Sequence, residues 1–303
     1  MKQTRALAFI SAVVLLAGSA AAPVAAADSV ESLKTVSTSD NLGGVAQVSP
    51  RINRWVTYKG YKYWFNSKGK MVKDAIIGIN GKIYCFDARG RLMTSRFIRK
   101  GSIVYFADRR GQFLTGWQII DGKKYYFSPK TGEMIKNRTI DGTTISANGE
   151  APLSRSELLE LKCQEILSQI TNDSMSRSDK IQACYNYMVS HSNFSYMTWR
   201  NYSYYDGWDV DYAYEMLTTR MGNCYNFAAA FAHLTNAAGC DVTLVRGRIH
   251  GSRDGAADGF TRHCWTIVDG AYYDTELAFV GSAYVCGSGG YPLSCQVTGY
   301  DTL

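Results

Sequence analysis

Three short segments in the C-terminal half hold residue types that together can open an acyl bond. In the first, Cys224 follows Gly222 and Asn223 and precedes an apolar run from Phe227 to Ala232. Asn223 is a helix N-cap type and Gly239 a helix stop, so the spacing predicts a helix from Cys224 to about Ala238. At a helix N-terminus the dipole and the free N–H groups favour an anion, and the thiolate is the nucleophilic form of cysteine. The Cys224 N–H is also placed to help hold an oxyanion. Gly222 permits a tight entry and close substrate approach. In the second segment His263 opens a strand-like run to Val268; in the third Asp274 follows Ala271, Tyr272 and Tyr273. Asp269-Gly270 between them reads as a hairpin turn. Adjacent strands then set Asp274 beside His263, where a carboxylate fixes the imidazole tautomer. His263 is the candidate general acid/base for a Cys224 acyl-enzyme.

The elements around these residues are helices first and strands afterwards. Ser154 to Glu157 matches a capping box, and Leu158, Leu161, Ile166, Leu167 and Ile170 follow at helical spacing. Ser176 to Asp179 opens a second helix with Ile181, Cys184, Tyr185 and Met188 on one face. Strand-like runs start at Val242, His263 and Ala271. This order predicts an α+β domain.

The ordered trio resembles the transglutaminase-like superfamily across residues 155–280. The resemblance implies an α+β papain/transglutaminase-like catalytic domain over 151–303, with Cys224 as nucleophile, His263 as general acid/base and Asp274 as orienting carboxylate. Two positions depart from the usual pattern: Thr275 stands where many members have Pro, and Cys264 where many have a small residue such as Ala. Trp208 and Tyr212 lie in the region that would supply a second oxyanion donor. The substrate is expected to be a peptide or protein. The acyl-enzyme can pass to water or to an amine; hydrolysis is slightly preferred, because transfer needs water to be excluded. The competing reading is a non-catalytic surface adhesin or wall-binding protein with an inert C-terminal domain.

The N-terminal half is repetitive. Phe65, Phe86, Phe106 and Phe127 recur about every 21 residues, and Gly69, Gly90, Gly111 and Gly132 do so at that spacing. A degenerate fifth copy ends near Gly149. Each unit reads as strand, turn, strand, and one hairpin cannot bury its own face, so copies must share a core. The pattern, over 51–150, resembles cell-wall-binding repeats of the choline- or glucan-binding type. It implies an all-β hairpin-repeat solenoid that holds a wall polymer: teichoic acid, glucan or peptidoglycan. In that family aromatic rings cage the ligand. The rings assigned here are Trp64, Tyr105, Trp117, Tyr125 and Tyr126, although only Gly116-Trp117 keeps the family's Gly-Trp pair. The competing role for the rings is a rigid stalk.

The rest of the chain sets the compartment. Lys2 and Arg5 precede an apolar run to Ala22, and Ala25-Ala26-Ala27 fits a small-residue cleavage site, so residues 1–27 read as a secretory signal peptide. Residues 28–50 read as a linker. The expected location is outside the cell, attached to the wall, with no transmembrane anchor. The formal charge is +7, but the basic residues follow no nucleic-acid motif, and no nucleic-acid partner is expected. No CxxC or HxxxH spacing is present, so neither a metal nor a cofactor is expected. Eight cysteines follow the signal; Cys286 and Cys295, flanking a Gly-rich loop, are the expected disulfide.

Overall fold

The computed structural model describes residues 52–197, 202–253 and 255–303; the segments read from sequence as signal peptide and linker lie outside them. The chain divides at Pro152/Leu153 into two compact units.

The first unit is built of hairpins in series. They are β1 (Arg54–Tyr58) with β2 (Tyr61–Phe65), β3 (Ala75–Ile79) with β4 (Lys82–Phe86), β5 (Arg96–Lys100) with β6 (Ile103–Ala107), β7 (Gly116–Ile120) with β8 (Lys123–Phe127), and β9 (Arg138–Ile140) with β10 (Thr143–Ile145). A short β11 (Glu150–Ala151) pairs with β8. Asn80-Gly81, Asp121-Gly122 and Asp141-Gly142 form two-residue turns with positive φ at both positions, which only Gly and short polar residues adopt at little cost. Consecutive units are also tied through the backbone: the Leu92, Phe113 and Met134 amides donate to the Lys62, Ile83 and Val104 carbonyls.

Hairpin register corrects the reading of the third unit. Ala107, not Phe106, occupies the position of Phe65, Phe86 and Phe127. Each of these residues bridges to the segment after its hairpin: Phe65 to Met71, Phe86 to Leu92, Ala107 to Phe113 and Phe127 to Met134. The small residue of the third unit thus faces its largest partner, and the pair conserves volume. Phe106 takes the place held by Trp64, Cys85 and Tyr126, opposite Phe97.

The second unit is α+β. It contains α1 (Arg155–Ile170), α2 (Arg177–Met188), β12 (Ser195–Tyr196), α3 (Trp208–Thr219), β13 (Met221–Gly222), α4 (Cys224–Ala237), β14 (Val242–His250), β15 (Phe260–Val268), β16 (Ala271–Asp274), α5 (Thr275–Phe279), β17 (Val285–Ser288) and β18 (Cys295–Thr302). Capping boxes start α1 at Ser154 and α2 at Ser176. The five-stranded antiparallel sheet runs β17-β16-β15-β14-β18. Helix α4 is mostly apolar and is buried over most of its length among the other helices and the sheet, and its polar Asn226 and His233 find partners on α3.

The sheet order overturns the disulfide expectation. All eight cysteines are unpaired. Cys286 lies on β17 and Cys295 on β18, the two opposite edges of the sheet. Four strand spacings of ~4.8 Å separate those edges, far beyond the ~7 Å Cα limit for a bridge. The Cys286 thiol donates instead to Gln182 Oε1 at 3.5 Å.

The volume exchange at 107 and 113 is testable. Ala107→Phe should overpack the third hairpin and cost about 1–3 kcal/mol. Adding Phe113→Leu, which recreates the Phe86–Leu92 pair, should recover most of that loss in thermal or urea unfolding. Simply additive losses would show that the two residues do not share one space.

Candidate active site

The nucleophile's position is made by α4 and its cap. Asn223 Oδ1 accepts from the Tyr225 amide at 3.1 Å and the Asn226 amide at 3.4 Å, and Asn226 Oδ1 accepts in return from the Asn223 amide at 3.1 Å. The Asn226 amide group then donates to Tyr212 O and Glu215 Oε2, each at 3.0 Å, pinning the start of α4 to α3. Gly222 is required for close packing: a Cβ there would collide with Asn226 and Met216. Cys224 stands on the first turn and is 4% exposed. Its Sγ lies 4.0 Å from the Arg262 carbonyl on β15.

His263 follows on β15, and Asp269-Gly270, with φ of 50° and 82°, turns the chain tightly into β16. Asp274 ends β16 and caps α5, taking the Leu277 amide on Oδ1 at 3.0 Å. Its Oδ2 lies 2.6 Å from His263 Nε2. Both side chains are 1% exposed. With Nε2 committed to Asp274, Nδ1 is the nitrogen left for the thiol, and the Cys224 side chain interacts with the imidazole. Burial works against the imidazolium, but the Asp274 carboxylate and Cys224 outweigh it, and the His263 pKa is raised well above its ordinary value. The three expected residues are therefore brought together.

Three further groups complete the site. The Tyr291 hydroxyl donates to Asp274 Oδ2 at 2.6 Å, and its ring stacks on Trp265 with centroids 4.3 Å apart. Tyr291 reaches Asp274 because residues 289–294 cross from one sheet edge to the other. No local pattern signals such a contact. Glu276, 1% exposed, sets Oε2 3.8 Å from His263 Nδ1 and accepts from Arg253 Nη2 at 3.2 Å. Burial raises the Glu276 pKa, against the opposing pull of His263 and Arg253. Arg253 also donates to the Tyr196 hydroxyl. Glu276, two residues beyond Asp274, was the most legible of the three groups. His263, Asp274 and Glu276 present ligand-type atoms within 4.8 Å of one another, a set chemically able to hold a metal ion. The short hydrogen bond between two of them is equally the geometry of an oriented imidazole.

Trp208 and Tyr212 sit in the core beside Tyr202 and Tyr225, and the Tyr212 hydroxyl accepts from the Ser203 amide at 3.1 Å. Cys264 is buried in the core, and burial pushes its thiol pKa well up.

Among the rings assigned to the repeats, Trp64, Tyr105 and Tyr125 are buried between hairpins. Trp117 and Tyr126 are half-buried, paired across their hairpin at 4.9 Å, with Lys124 Nζ 4.7 Å over the indole. Trp55, which the repeat pattern did not single out, meets Trp64 at 5.3 Å and Tyr84 at 5.1 Å, edge to face in both pairs.

The transglutaminase-like superfamily model matches residues 164–273, and the choline-binding repeat model matches 53–97 and 100–142. The chain thus carries a transglutaminase-like domain and choline-binding repeats. The first match includes Cys224 and His263 and stops one residue short of Asp274. No curated protein matches the chain. Choline-binding protein F from Streptococcus pneumoniae, solved in the presence of a peptidoglycan analogue, is 24% identical, covers 33% of this chain and 39% of its own, and has a TM-score of 0.25. CbpJ from Streptococcus pneumoniae TIGR4 is 23% identical over 32% of this chain and 40% of its own, at 0.25. The modular Cpl-1 endolysin is 18% identical over 35% and 38%, at 0.27. The chain spans about two fifths of the length of these proteins.

The raised His263 pKa has a pH signature. Its folded value lies above the unfolded value of about 6.5, so its stabilisation is complete below that pH and is lost as pH rises through the folded value. The urea midpoint of the wild type should fall over that window, and His263→Gln should flatten the fall. Parallel pH profiles would mean that folding does not raise the proton affinity of His263.

Proposed function

We propose that this protein, a transglutaminase-like domain joined to choline-binding repeats, is an exported, wall-associated thiol enzyme that opens amide bonds of peptides or proteins through an acyl-enzyme on Cys224. The observation that carries this reading is the buried His263–Asp274 hydrogen bond of 2.6 Å, set beside a cysteine on the first turn of a capped helix. Asp274 holds Nε2 and leaves Nδ1 to take the Cys224 proton. The thiolate attacks the carbonyl carbon, and charge develops on the carbonyl oxygen near the N-terminus of α4, where the helix dipole favours it. The imidazolium returns the proton to the leaving amine as the C–N bond breaks, and a thioester remains. Water then releases the acid. Hydrolysis is the proposed outcome, since amine transfer requires water to be kept from the thioester.

The repeats support wall association. Trp117 and Tyr126, half-buried and paired, are the rings best placed to meet a ligand among those assigned from sequence; Trp64, Tyr105 and Tyr125 act chiefly in packing. Trp55, half-buried and edge to face with the buried Trp64 and Tyr84, adds a further aromatic face suited to a quaternary ammonium.

The competing reading, a wall-binding protein without catalysis, takes its support from the 4% exposure of Cys224. Iodoacetamide titration at mildly acidic pH, with the modified thiols mapped by mass spectrometry, separates the two. Cys224 should label ahead of the exposed Cys295, and His263→Ala should slow it by about 100-fold or more. Labelling no faster at Cys224 than at Cys295 or Cys264 would leave the non-catalytic reading standing. Peptide substrates offered with and without a primary amine would then assign hydrolysis or transfer.

A further inference from the structure

A cavity of about 460 Å³ opens among the first three hairpins, within the range of ligand sites. Five of its lining residues are cationic: Lys62, Arg91, Arg96, Arg109 and Arg110. They come from β2, β5 and the turns that follow β4 and β6, so three units converge on one groove.

The single acid of the lining, Asp87, is already engaged. Its Oδ1 accepts the Arg89 and Arg91 amides at 2.9 and 2.8 Å, and its Oδ2 accepts Arg91 Nε at 2.8 Å. Asp87 therefore holds its own turn and aims Arg91. The Arg91 guanidinium lies 4.8 Å over the Tyr61 ring, which fixes its plane. Among the described residues Lys62, Arg96, Arg109 and Arg110 have no carboxylate partner, and all four are exposed. Like charges gathered in one cleft raise the free energy of the empty groove, and an anion relieves it. Planar guanidinium forks match phosphate oxygens in pairs, and one pre-oriented Arg lowers the entropy lost on binding.

The hairpin architecture does not demand this charge. One unit further along, Ile83 stands at the position of Lys62 and Gln112 at that of Arg91. The cationic set belongs to one groove, whereas the backbone pattern repeats.

We infer that this groove binds a phosphodiester polymer, through Arg91, Arg96, Arg109, Arg110 and Lys62, at a site distinct from the rings of Trp55, Trp64 and Tyr84. That the polymer is a wall component rests on the wall-association reading; the anion site itself does not.

The test uses the full chain and an Arg96→Gln/Arg109→Gln/Arg110→Gln variant. Arg91 is kept, because it is paired within the fold, and circular dichroism confirms folding. The probe is synthetic poly(glycerol phosphate), with a polyglutamate of matched charge as comparison. The wild type should bind the probe with an affinity that falls as salt rises. The variant should bind at least tenfold more weakly, with the log–log salt slope reduced by about 2, at roughly 0.7 per cation removed. Retention on cell walls stripped of phosphodiester polymers should be the same for both proteins. Equal binding of the probe by variant and wild type, or equal wild-type affinity for the polyglutamate, would overturn the inference. If the wild type binds the probe but no walls, the anion site stands and wall association falls. If both proteins bind walls and neither binds the probe, the reverse holds.

Discussion

The buried carboxylate of Asp274 is the constraint on which the second unit depends. A carboxyl group at 1% exposure is costly unless hydrogen bonds satisfy it. Three donors meet it, and each comes from a different part of the chain: His263 Nε2 from β15, the Leu277 amide from α5, and the Tyr291 hydroxyl from the strap between β17 and β18. The carboxylate is stable only when strand, helix and strap are all in place, so the site and the fold form together. The same donors direct the chemistry. By holding Nε2, Asp274 decides which imidazole nitrogen faces Cys224. By stacking on Trp265, Tyr291 keeps its hydroxyl on the carboxylate and covers the pair.

How much of this was legible in the sequence follows from how local each contact is. The neighbourhood of His263 and Asp274 could be read because a two-residue turn, Asp269-Gly270, dictates which strands pair. Cys224 could be placed because Asn223 marks the helix start by side-chain chemistry alone. The opening helices could be read for the same reason, from Ser154 and Ser176. Tyr291 could not, since it lies 17 positions from Asp274 and arrives by crossing the sheet. The Cys286–Cys295 expectation failed on that same crossing. Nine positions apart in sequence, these residues sit on opposite sheet edges, because β18 pairs with β14 and not with its predecessor.

The hairpins show a different limit. Their turns and period are written in the sequence, but side-chain register is not. Phe106 continues the aromatic series by eye, yet the ladder puts Ala107 in that place, because strand pairing is counted from the turn at Gly101-Ser102. A one-residue shift in a strand moves a side chain to the other face. The loss of a large residue at 107 is offset by Phe113 on the facing segment. The same uncertainty of register hid Trp55, whose strand precedes the first complete sequence unit.

Both halves of the chain separate scaffold from chemistry in one way. The repeated or periodic positions, the turn glycines of the hairpins and the apolar run of α4, supply packing that many sequences could supply. Reactive or charged groups appear where the pattern is broken. Cys224 stands where a polar cap gives way to an apolar helix, and Arg91 stands where the next repeat has Gln112. Each departure carries an electrostatic cost that packing must hold in place. Asp274 offsets the charge His263 would carry in the interior. Asp87 steadies one guanidinium in the groove and leaves its neighbours without a counter-charge. A scaffold that keeps uncompensated charge in a defined cleft favours an oppositely charged occupant, whereas a buried, fully donated carboxylate favours a fixed proton path. The first arrangement suits binding and the second suits catalysis.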